Sequence, residues 1–295
     1  MLAGSIKICW PDAAWRNILA QPIDTTYYLP AEDYIQPIKT LGSYTTLIVL
    51  SIGEHVPGLR GIIIRNFVTR GLRCLESIHR IWDLENFQDC WTLHRSLVER
   101  LFTLRALNDR NEFETFDKWS YVRQFESKNR ILSDAELSKK LLPAERSFSE
   151  KEKDRYTEIK RENISWKRPN PRQVAKKMNL SFLYSLAYDY ASTHVHPMAT
   201  DGEDDFLILA GSISEPHYDQ RVVLHNSIII QLLLVQEGMK ASRLLWRGIV
   251  QDFLFDYMSL LSTGSGEYLT TFKKIVSLPP GFDLCEPSKE GCDQS

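Results

Sequence analysis

Apolar side chains recur at helical spacing over most of the chain. Residues 57–82 repeat hydrophobic positions about one helical turn apart with arginines between them, and residues 87–107 continue the same spacing. Asp83 is the predicted N-cap of the second of these helices. Within residues 216–246, the run Ile228–Leu234 makes the segment apolar on all sides, which is typical of a helix at the centre of a core. Neither β-rich alternation nor an internal repeat is present. The pattern therefore predicts an all-α helical bundle.

The remaining segments break this pattern and divide the chain. Several prolines interrupt residues 1–42, where no period is sustained, and Thr45–Ile52 is short enough to be either a strand or the first turns of a helix. Residues after 128 become highly charged and poor in apolar positions. We therefore expect an irregular N-terminal arm, a first part of the bundle, a charged helical insertion, a second part of the bundle and a flexible tail, over residues 1–56, 57–128, 129–178, 179–278 and 279–295.

Composition narrows the class of protein further. A net charge of −2 gives the whole chain no bias toward nucleic acid or membranes, so any such bias must be local. The longest apolar runs are too short or too interrupted to span a bilayer, and the start of the chain lacks the order of a signal peptide. The five cysteines are scattered without a C-x-x-C pair, which disfavours a disulfide framework and a zinc site. We expect a cytoplasmic protein without a membrane segment.

One helix near Pro197 has the most unusual pattern. In a helix that ends there, Tyr184, Tyr188, Ser192 and His196 stand four residues apart and share one face. Buried hydroxyls and imidazoles cost free energy unless each has a partner, so this face predicts a polar site. A histidine beside hydroxyls can transfer protons or bind a phosphate; alternatively, a neighbour satisfies it and it stabilises the end of the helix.

Arg95 and Glu99 form a second candidate site. Their spacing places a guanidinium and a carboxylate on the same face of a helix that also carries Trp91, Leu97 and Leu101. Such pairs are common on surfaces and contribute little there. In a helix this apolar, a charge is expected to be buried only when it is paired or functional. We therefore expect Arg95 and His196 to face a common pocket.

A basic segment is the third candidate. Over residues 160–177, seven cations face a single acid, Glu162, with one tryptophan among them. Cations interleaved with an aromatic ring suit phosphate contacts and base stacking, although a solvated charged face is the more frequent origin of such a run. The predicted nucleic-acid-binding residues are Lys160, Arg161, Trp166, Lys167, Arg168, Arg172, Lys176 and Lys177.

Two weaker patterns are given little weight. Arg73 and His79 have the arginine-to-histidine spacing of a known RNase superfamily, but the composition of the chain yields about one such match by chance. His194 and His196, with the acidic residues of 201–205 nearby, could surround a divalent ion, yet histidines two apart diverge on a helix. Because no phosphate loop, nucleophile elbow or metalloprotease motif is present either, we expect neither a metal nor a cofactor.

Two of these pieces together resemble an uncharacterised bacterial family of helical proteins, known only as a domain of unknown function. The resemblance covers roughly residues 60–240. It rests on one motif from each of two helices, Arg95-Ser96-Leu97-Val98-Glu99 and Tyr188-x-x-x-Ser192-x-x-Val195-His196-Pro197.

That family is in turn distantly similar to the HEPN superfamily (higher eukaryotes and prokaryotes nucleotide-binding), helical bundles common in toxin–antitoxin, phage-defence and RNA-processing systems. The resemblance implies an HEPN-like core and, in active members, a metal-independent RNase that promotes attack of a 2′-hydroxyl on the adjacent phosphate, often as a dimer. Val195-His196-Pro197 and Ser192 resemble the end of the active-site motif, whereas Ala191 stands where its arginine would be. Arg95, oriented by Glu99, is the candidate replacement.

The sequence therefore supports three hypotheses of function. The first is an HEPN-like, RNA-directed nuclease or effector of a bacterial defence or toxin system, with RNA as partner and a homodimer or a cognate protein partner left open. In it His196 is the general acid/base, Arg95 stabilises phosphate charge, and Ser192 and Tyr188 orient the histidine or the substrate. The second is a non-catalytic sensor or accessory subunit that binds a nucleotide-like ligand or a protein. The third makes the polar residues a buried structural network.

Overall fold

The computed structural model describes residues 28–140, 147–181, 183–196, 199, 202–214, 220–242, 247–264 and 268–276. Every regular element in these residues is a helix and no strand is present among them, so the predicted all-α bundle is confirmed. The helices are α1 (Ile35–His55), α2 (Gly58–Trp82), α3 (Phe87–Arg110), α4 (Phe113–Ser133), α5 (Ala135–Lys140), α6 (Glu150–Arg161), α7 (Pro171–Lys177), α8 (Tyr190–Thr193), α9 (Glu203–Leu209), α10 (Arg221–Ser242), α11 (Arg247–Thr263) and α12 (Tyr268–Val276). A 3₁₀ turn (Ala31–Tyr34) precedes α1, and a π-helical segment (Leu183–Asp189) precedes α8.

Three long helices form the centre of the bundle. Helices α2, α3 and α10 each pack against the other two, and α10 is buried along nearly its whole length. This confirms the central position predicted from the all-round apolar run Ile228–Leu234. By length and composition α10 could also cross a membrane. However, 89% of its apolar stretch is buried inside the protein, as in the core helix of a globular fold. It is therefore weak evidence for a membrane.

Glycines allow α2 and α10 to approach closely. A Cβ atom on Gly71 would lie 2.4 Å from Leu234 Cδ2 and 2.5 Å from Gln231 Oε1, and one on Gly238 would lie 2.8 Å from Val68 Cγ2. All these neighbours are buried, so they have little room to move aside. Glycine is needed at this crossing because of the close packing.

The predicted irregular N-terminal arm, residues 1–56, is wrong for residues 35–55, which form helix α1. Pro37 lies in the first turn of that helix, where the missing N–H is tolerated, so this proline does not interrupt it. Thr45–Ile52 is therefore helix rather than strand, and Tyr44 and Ile48 are fully buried in the core. Residues 1–27 and the predicted tail, 279–295, lie outside the described residues.

The junction of α2 and α3 also differs from the prediction. The predicted N-cap, Asp83, instead ends α2, and Asn86 caps α3 through its side-chain oxygen, which accepts a hydrogen bond from the Asp89 backbone N–H at 3.2 Å. A turn joins the two helices: the backbone N–H of Glu85 donates to the Trp82 carbonyl at 2.9 Å, and Glu85 has a positive φ of 61°. The prediction failed because both asparagine and aspartate are strong caps and the two stand close together.

Within the charged segment, the second half of α4 together with α5 and α6 forms a lobe of exposed helices. Helix α4 enters it as far as Ser133, and α5 and α6 follow. The ring of Phe125 stacks on Phe148 at 3.8 Å and on Tyr156 at 4.1 Å between centroids. Because Phe113 and Ile159 are the buried residues of α4 and α6, the lobe depends largely on these aromatic stacks.

Among the described residues, His94 of α3 and His225 of α10 are histidines buried in the core. His94 Nδ1 lies 2.9 Å from Ser227 Oγ, and His225 Nδ1 lies 3.1 Å from the hydroxyl of Tyr34. Ser227 donates its own hydrogen to the Val223 carbonyl at 2.6 Å, so neutral His94 is the donor to Ser227. Burial lowers the pKa of His94 to about 3 and that of His225 to about 4.

Replacing Gly71 with alanine should destabilise the fold although alanine favours helices. The added methyl group overlaps Leu234 and Gln231, and overpacking of this kind costs about 1–3 kcal/mol. Urea unfolding followed by circular dichroism measures the change. Gly53→Ala is the matched control: its Cβ would meet only Arg65 Nη1 at 3.5 Å, so it should be neutral or stabilising. Equal stability of the two variants would contradict the role of Gly71.

Acid should destabilise the protein below the ordinary histidine pKa. Unfolded histidines bind protons near pH 6.5 whereas folded His94 and His225 do so only near pH 3 and 4, so the unfolded state holds more protons in between. Each histidine should therefore lower the free energy of unfolding by about 1.4 kcal/mol per pH unit over that window. Denaturant unfolding at several pH values measures the slope. His94→Gln should reduce the slope by about 1.4 kcal/mol per pH unit, which corresponds to one proton. An unchanged slope would show that His94 is not a source of the acid destabilisation.

Candidate functional site

A cleft of about 460 Å³ opens beside helix α3. Its floor is the outer face of α3, and its walls come from α2, from α4, from the π-helical segment and from the chain between α6 and α7. The lining is aromatic and basic: Phe67, Phe102, Phe116, Trp119, Trp166 and Tyr188 lie with Arg95, Arg100 and Arg168, and Glu99 is the one acidic residue among the lining residues that the structure describes.

The structure brings Arg95, Glu99 and Tyr188 together. Arg95 Nη2 lies 3.3 Å from Glu99 Oε1 and donates to the Tyr188 hydroxyl at 3.3 Å, while the guanidinium lies 5.1 Å from the centroid of the Tyr188 ring. The Arg95 side chain is 20% exposed. Arg95 and Glu99 are thus neighbours because they stand one turn apart on α3, and the π-helical segment supplies Tyr188.

Arg100 is a partly buried cation of the cleft without a described ion pair. Its Nε atom is buried without a hydrogen-bond partner, and the guanidinium forms no ion pair with any residue that the structure describes. Burial is the main reason that the pKa of Arg100 lies below its ordinary value; Cys74 and Glu99 oppose the shift, and the nearby guanidinium of Arg70 adds to it. A partly buried, unpaired guanidinium favours an anion as its ligand.

Two of the predicted nucleic-acid-binding residues also line the cleft. Trp166 and Arg168 lie between α6 and α7 and belong to its lining. Trp166 is only 6% exposed, because its ring packs 4.9 Å from Phe116 and 4.7 Å from Trp119 between centroids. It therefore supports the aromatic wall, and the partly exposed Trp119 presents more surface to a ligand.

The other cations of the basic segment are exposed. Lys160 forms an ion pair with Glu126 at 2.7 Å on the lobe, away from the cleft lining. The side chains of Arg161, Lys167, Arg172, Lys176 and Lys177 are solvated. The nucleic-acid role assigned to these residues stays a prediction, and only Trp166 and Arg168 lie at the cleft.

The structure does not place His196 in the cleft. Helix α8 ends at Thr193, and His196 lies beyond it as an exposed residue outside the cleft lining. Tyr184 and Tyr188 do stack, at 6.0 Å between centroids, but the expected four-residue alignment does not continue to His196, because α8 follows a π-helical segment and ends at Thr193. The hydroxyl of Ser192 donates to the Tyr188 carbonyl at 2.6 Å. The catalytic roles assigned to Ser192 and His196 stay predictions.

His194, rather than His196, is fixed against the bundle. Its Nδ1 lies 2.9 Å from Gln88 Oε1, its ring stacks on Trp91 at 5.9 Å, and its backbone carbonyl accepts a hydrogen bond from Thr92 at 3.1 Å. These contacts attach the end of α8 to helix α3. His194 therefore acts as an anchor for the segment that carries Tyr188.

The weaker patterns find no support in geometry. Among the residues that the structure describes, no group of histidines, cysteines and acids could hold a metal ion. Part of the predicted acidic loop, from Glu203, begins helix α9. Arg73 pairs with Glu76, and His79 lies 3.7 Å from Asp83, so the two residues have separate partners.

Sequence reasoning missed Arg100 and most of the aromatic wall. Arg100 stands one turn of α3 after Ser96, so helical spacing from Ser96 in the Arg95–Glu99 motif could have indicated it. Phe67, Phe116 and Trp119 gave no such signal, because each fits an ordinary apolar helix face.

Comparison with known proteins gives a family and no function. No curated protein and no solved structure matches the chain. One family model matches residues 61–208, just over half of the chain, and its description is "Family of unknown function (DUF5677)". The matched stretch contains every residue that lines the cleft. The protein belongs to this family of unknown function, DUF5677.

Proposed function

We propose that the cleft binds a nucleotide-like ligand, with an anionic phosphate against the arginines and a flat base against the aromatic wall. The observation that carries the proposal is Arg100, a partly buried guanidinium without a described ion-pair partner in a cleft lined by aromatic rings. Arg168 adds a second, exposed guanidinium to the same cleft. Guanidinium groups bind phosphate oxygens through paired hydrogen bonds, which suits both residues.

The charge of the cleft separates this ligand from other aromatic-binding classes. Aromatic walls also bind quaternary ammonium ions. Here three arginines face one glutamate, so a cationic ligand would be repelled. An uncharged flat molecule would leave Arg100 without a counter-ion. A ligand that combines a flat ring and a negative charge satisfies both parts of the lining.

The size of the cleft fits one nucleotide. Ligand pockets commonly measure about 300–1,000 Å³, and this cleft of about 460 Å³ lies at the lower end of that range. Base stacking on an aromatic side chain contributes about 1–3 kcal/mol per base. Trp119 is partly exposed beside the buried Trp166, so a base against Trp119 would be backed by a rigid second ring.

An RNA strand is one source of such a nucleotide, and the HEPN-like resemblance supports this source. Cleavage would need more than binding, because a general acid/base must come within hydrogen-bonding reach of the reacting group. Arg95 contacts Glu99 and Tyr188, whereas His196 is exposed outside the cleft lining. We therefore propose binding as the function that the geometry supports best and keep His196-dependent cleavage as a separate hypothesis.

Binding should require both halves of a nucleotide. In calorimetric titrations, nucleoside 5′-monophosphates should bind, while the matching nucleosides and ribose 5-phosphate should bind at least about tenfold more weakly, since each lacks one set of contacts. Arg168→Ala should weaken nucleotide binding by about tenfold or more. Arg172→Ala, an exposed arginine of the same segment outside the cleft lining, is the matched control and should change little. Failure of every nucleotide to bind folded protein would refute the proposal.

The RNase hypothesis has its own test. Purified protein is incubated with a mixed RNA pool in EDTA, and the fragment ends are analysed. A metal-independent RNase would leave cyclic-phosphate ends with the wild type, and His196→Ala and Arg95→Ala would lose the activity. Melting curves of both variants must show folded protein. Cleavage that persists in His196→Ala would remove His196 from the hypothesis, and no cleavage by the wild type would leave binding as the function.

A further inference from the structure

We propose that Glu99 selects the base, and that the ligand of the cleft carries guanine. This inference rests on the proposed nucleotide binding and adds the identity of the base. It starts from the one residue of the lining that does not suit an anion site: a carboxylate among three arginines. Such a group weakens phosphate binding through repulsion unless it also makes a favourable contact with the ligand.

Glu99 has hydrogen-bonding capacity left for a ligand. Its described ion pair with Arg95 joins a single oxygen, Oε1, to Nη2 at 3.3 Å, rather than both oxygens in a fork. Oε2 forms no hydrogen bond or ion pair with any residue that the structure describes. The Glu99 side chain is 41% exposed at the cleft. A carboxylate can accept several hydrogen bonds, so at least one oxygen is available to a base.

Orientation of Arg95 does not by itself require this carboxylate. The Tyr188 hydroxyl already accepts a hydrogen bond from Arg95 Nη2, and the tyrosine ring lies beside the guanidinium. The same helix shows what a purely structural pair looks like: Arg105 Nε lies 2.9 Å from Asp109 Oδ1 and Arg105 Nη1 lies 3.1 Å from the buried Glu237, outside the cleft lining. The Arg95 pair is longer and joins fewer atoms, which leaves Glu99 free to contact a ligand.

Guanine is the base whose edge matches a carboxylate. Its ring N1–H and its exocyclic amino group point the same way and can donate to the two oxygens of one carboxylate. Adenine and cytosine offer an amino group beside a ring acceptor, and uracil offers one N–H between two carbonyls, so each would place an acceptor against the carboxylate. A site built for a donor edge rejects bases that lack it, because its own polar group would lose solvent without gaining a partner.

Calorimetric titration of the full-length protein with the four common nucleoside 5′-monophosphates and inosine 5′-monophosphate tests the base. Guanosine monophosphate should bind at least about tenfold more tightly than adenosine monophosphate, with the inosine compound between them because it keeps N1–H and lacks the amino group. In Glu99→Gln the guanine preference should fall to about twofold or less, while adenosine monophosphate binds as well as before or better.

The matched control is Asp109→Asn, which alters a carboxylate with the same spacing to an arginine on the same helix, away from the cleft. It should keep the wild-type preference. Binding of all nucleotides with equal affinity, or an unchanged preference in Glu99→Gln, would overturn the role of Glu99 and leave nucleotide binding in place. Absence of binding by every nucleotide would instead overturn the proposed function itself.

Discussion

The close contact between α2 and α10 at Gly71 and Gly238 is the constraint on which the rest of the structure depends. It allows the backbones of α2 and α10 to approach without side chains between them, and α3 packs against both helices. Helix α3 then has two different faces. One carries His94, Leu97 and Leu101 into the core, and the other forms the floor of the cleft. Because the core face is closely packed, the residues of the cleft floor stand on a rigid support.

The cleft combines two kinds of surface that come from distant parts of the chain. Helix α3 contributes Arg95, Glu99 and Arg100, and the chain between α6 and α7 adds Arg168. The rings of Phe116, Trp119 and Trp166 contribute a wall in which each ring supports the next. Aromatic rings beside arginines lower the local exposure to water, and this strengthens any contact between Arg100 and an anion. The lobe adds no charge to the cleft lining, and its aromatic stack at Phe125 is a separate structural unit.

The sequence predicts best where local pattern and tertiary packing agree. The central helix was evident because an all-round apolar run has no other stable place in a bundle, and Arg95 with Glu99 was evident because helical spacing alone brings them together. Helix α1 was missed because proline was taken as a sign of irregular chain, although Pro37 stands in a first turn that tolerates it. The predicted alignment of His196 with Tyr188 was wrong because no sequence signal in residues 183–189 indicates a π-helical turn.

The meeting of Trp166 with α3 shows why the site as a whole was beyond sequence reasoning. The basic segment and the Arg95 motif were identified separately, and each had an ordinary alternative as a solvated face or a surface pair. Whether the two segments lie at one cleft depends on the path of the chain between α6 and α7. Local sequence patterns do not determine that path. Once Trp166 and Arg168 line the same cleft as Arg95 and Arg100, those ordinary alternatives explain less. A solvated face does not bury its tryptophan, and a surface pair does not border an aromatic wall. The binding hypothesis therefore follows from the convergence of two segments, whereas the catalytic hypothesis still depends on His196, which the fold leaves outside that convergence.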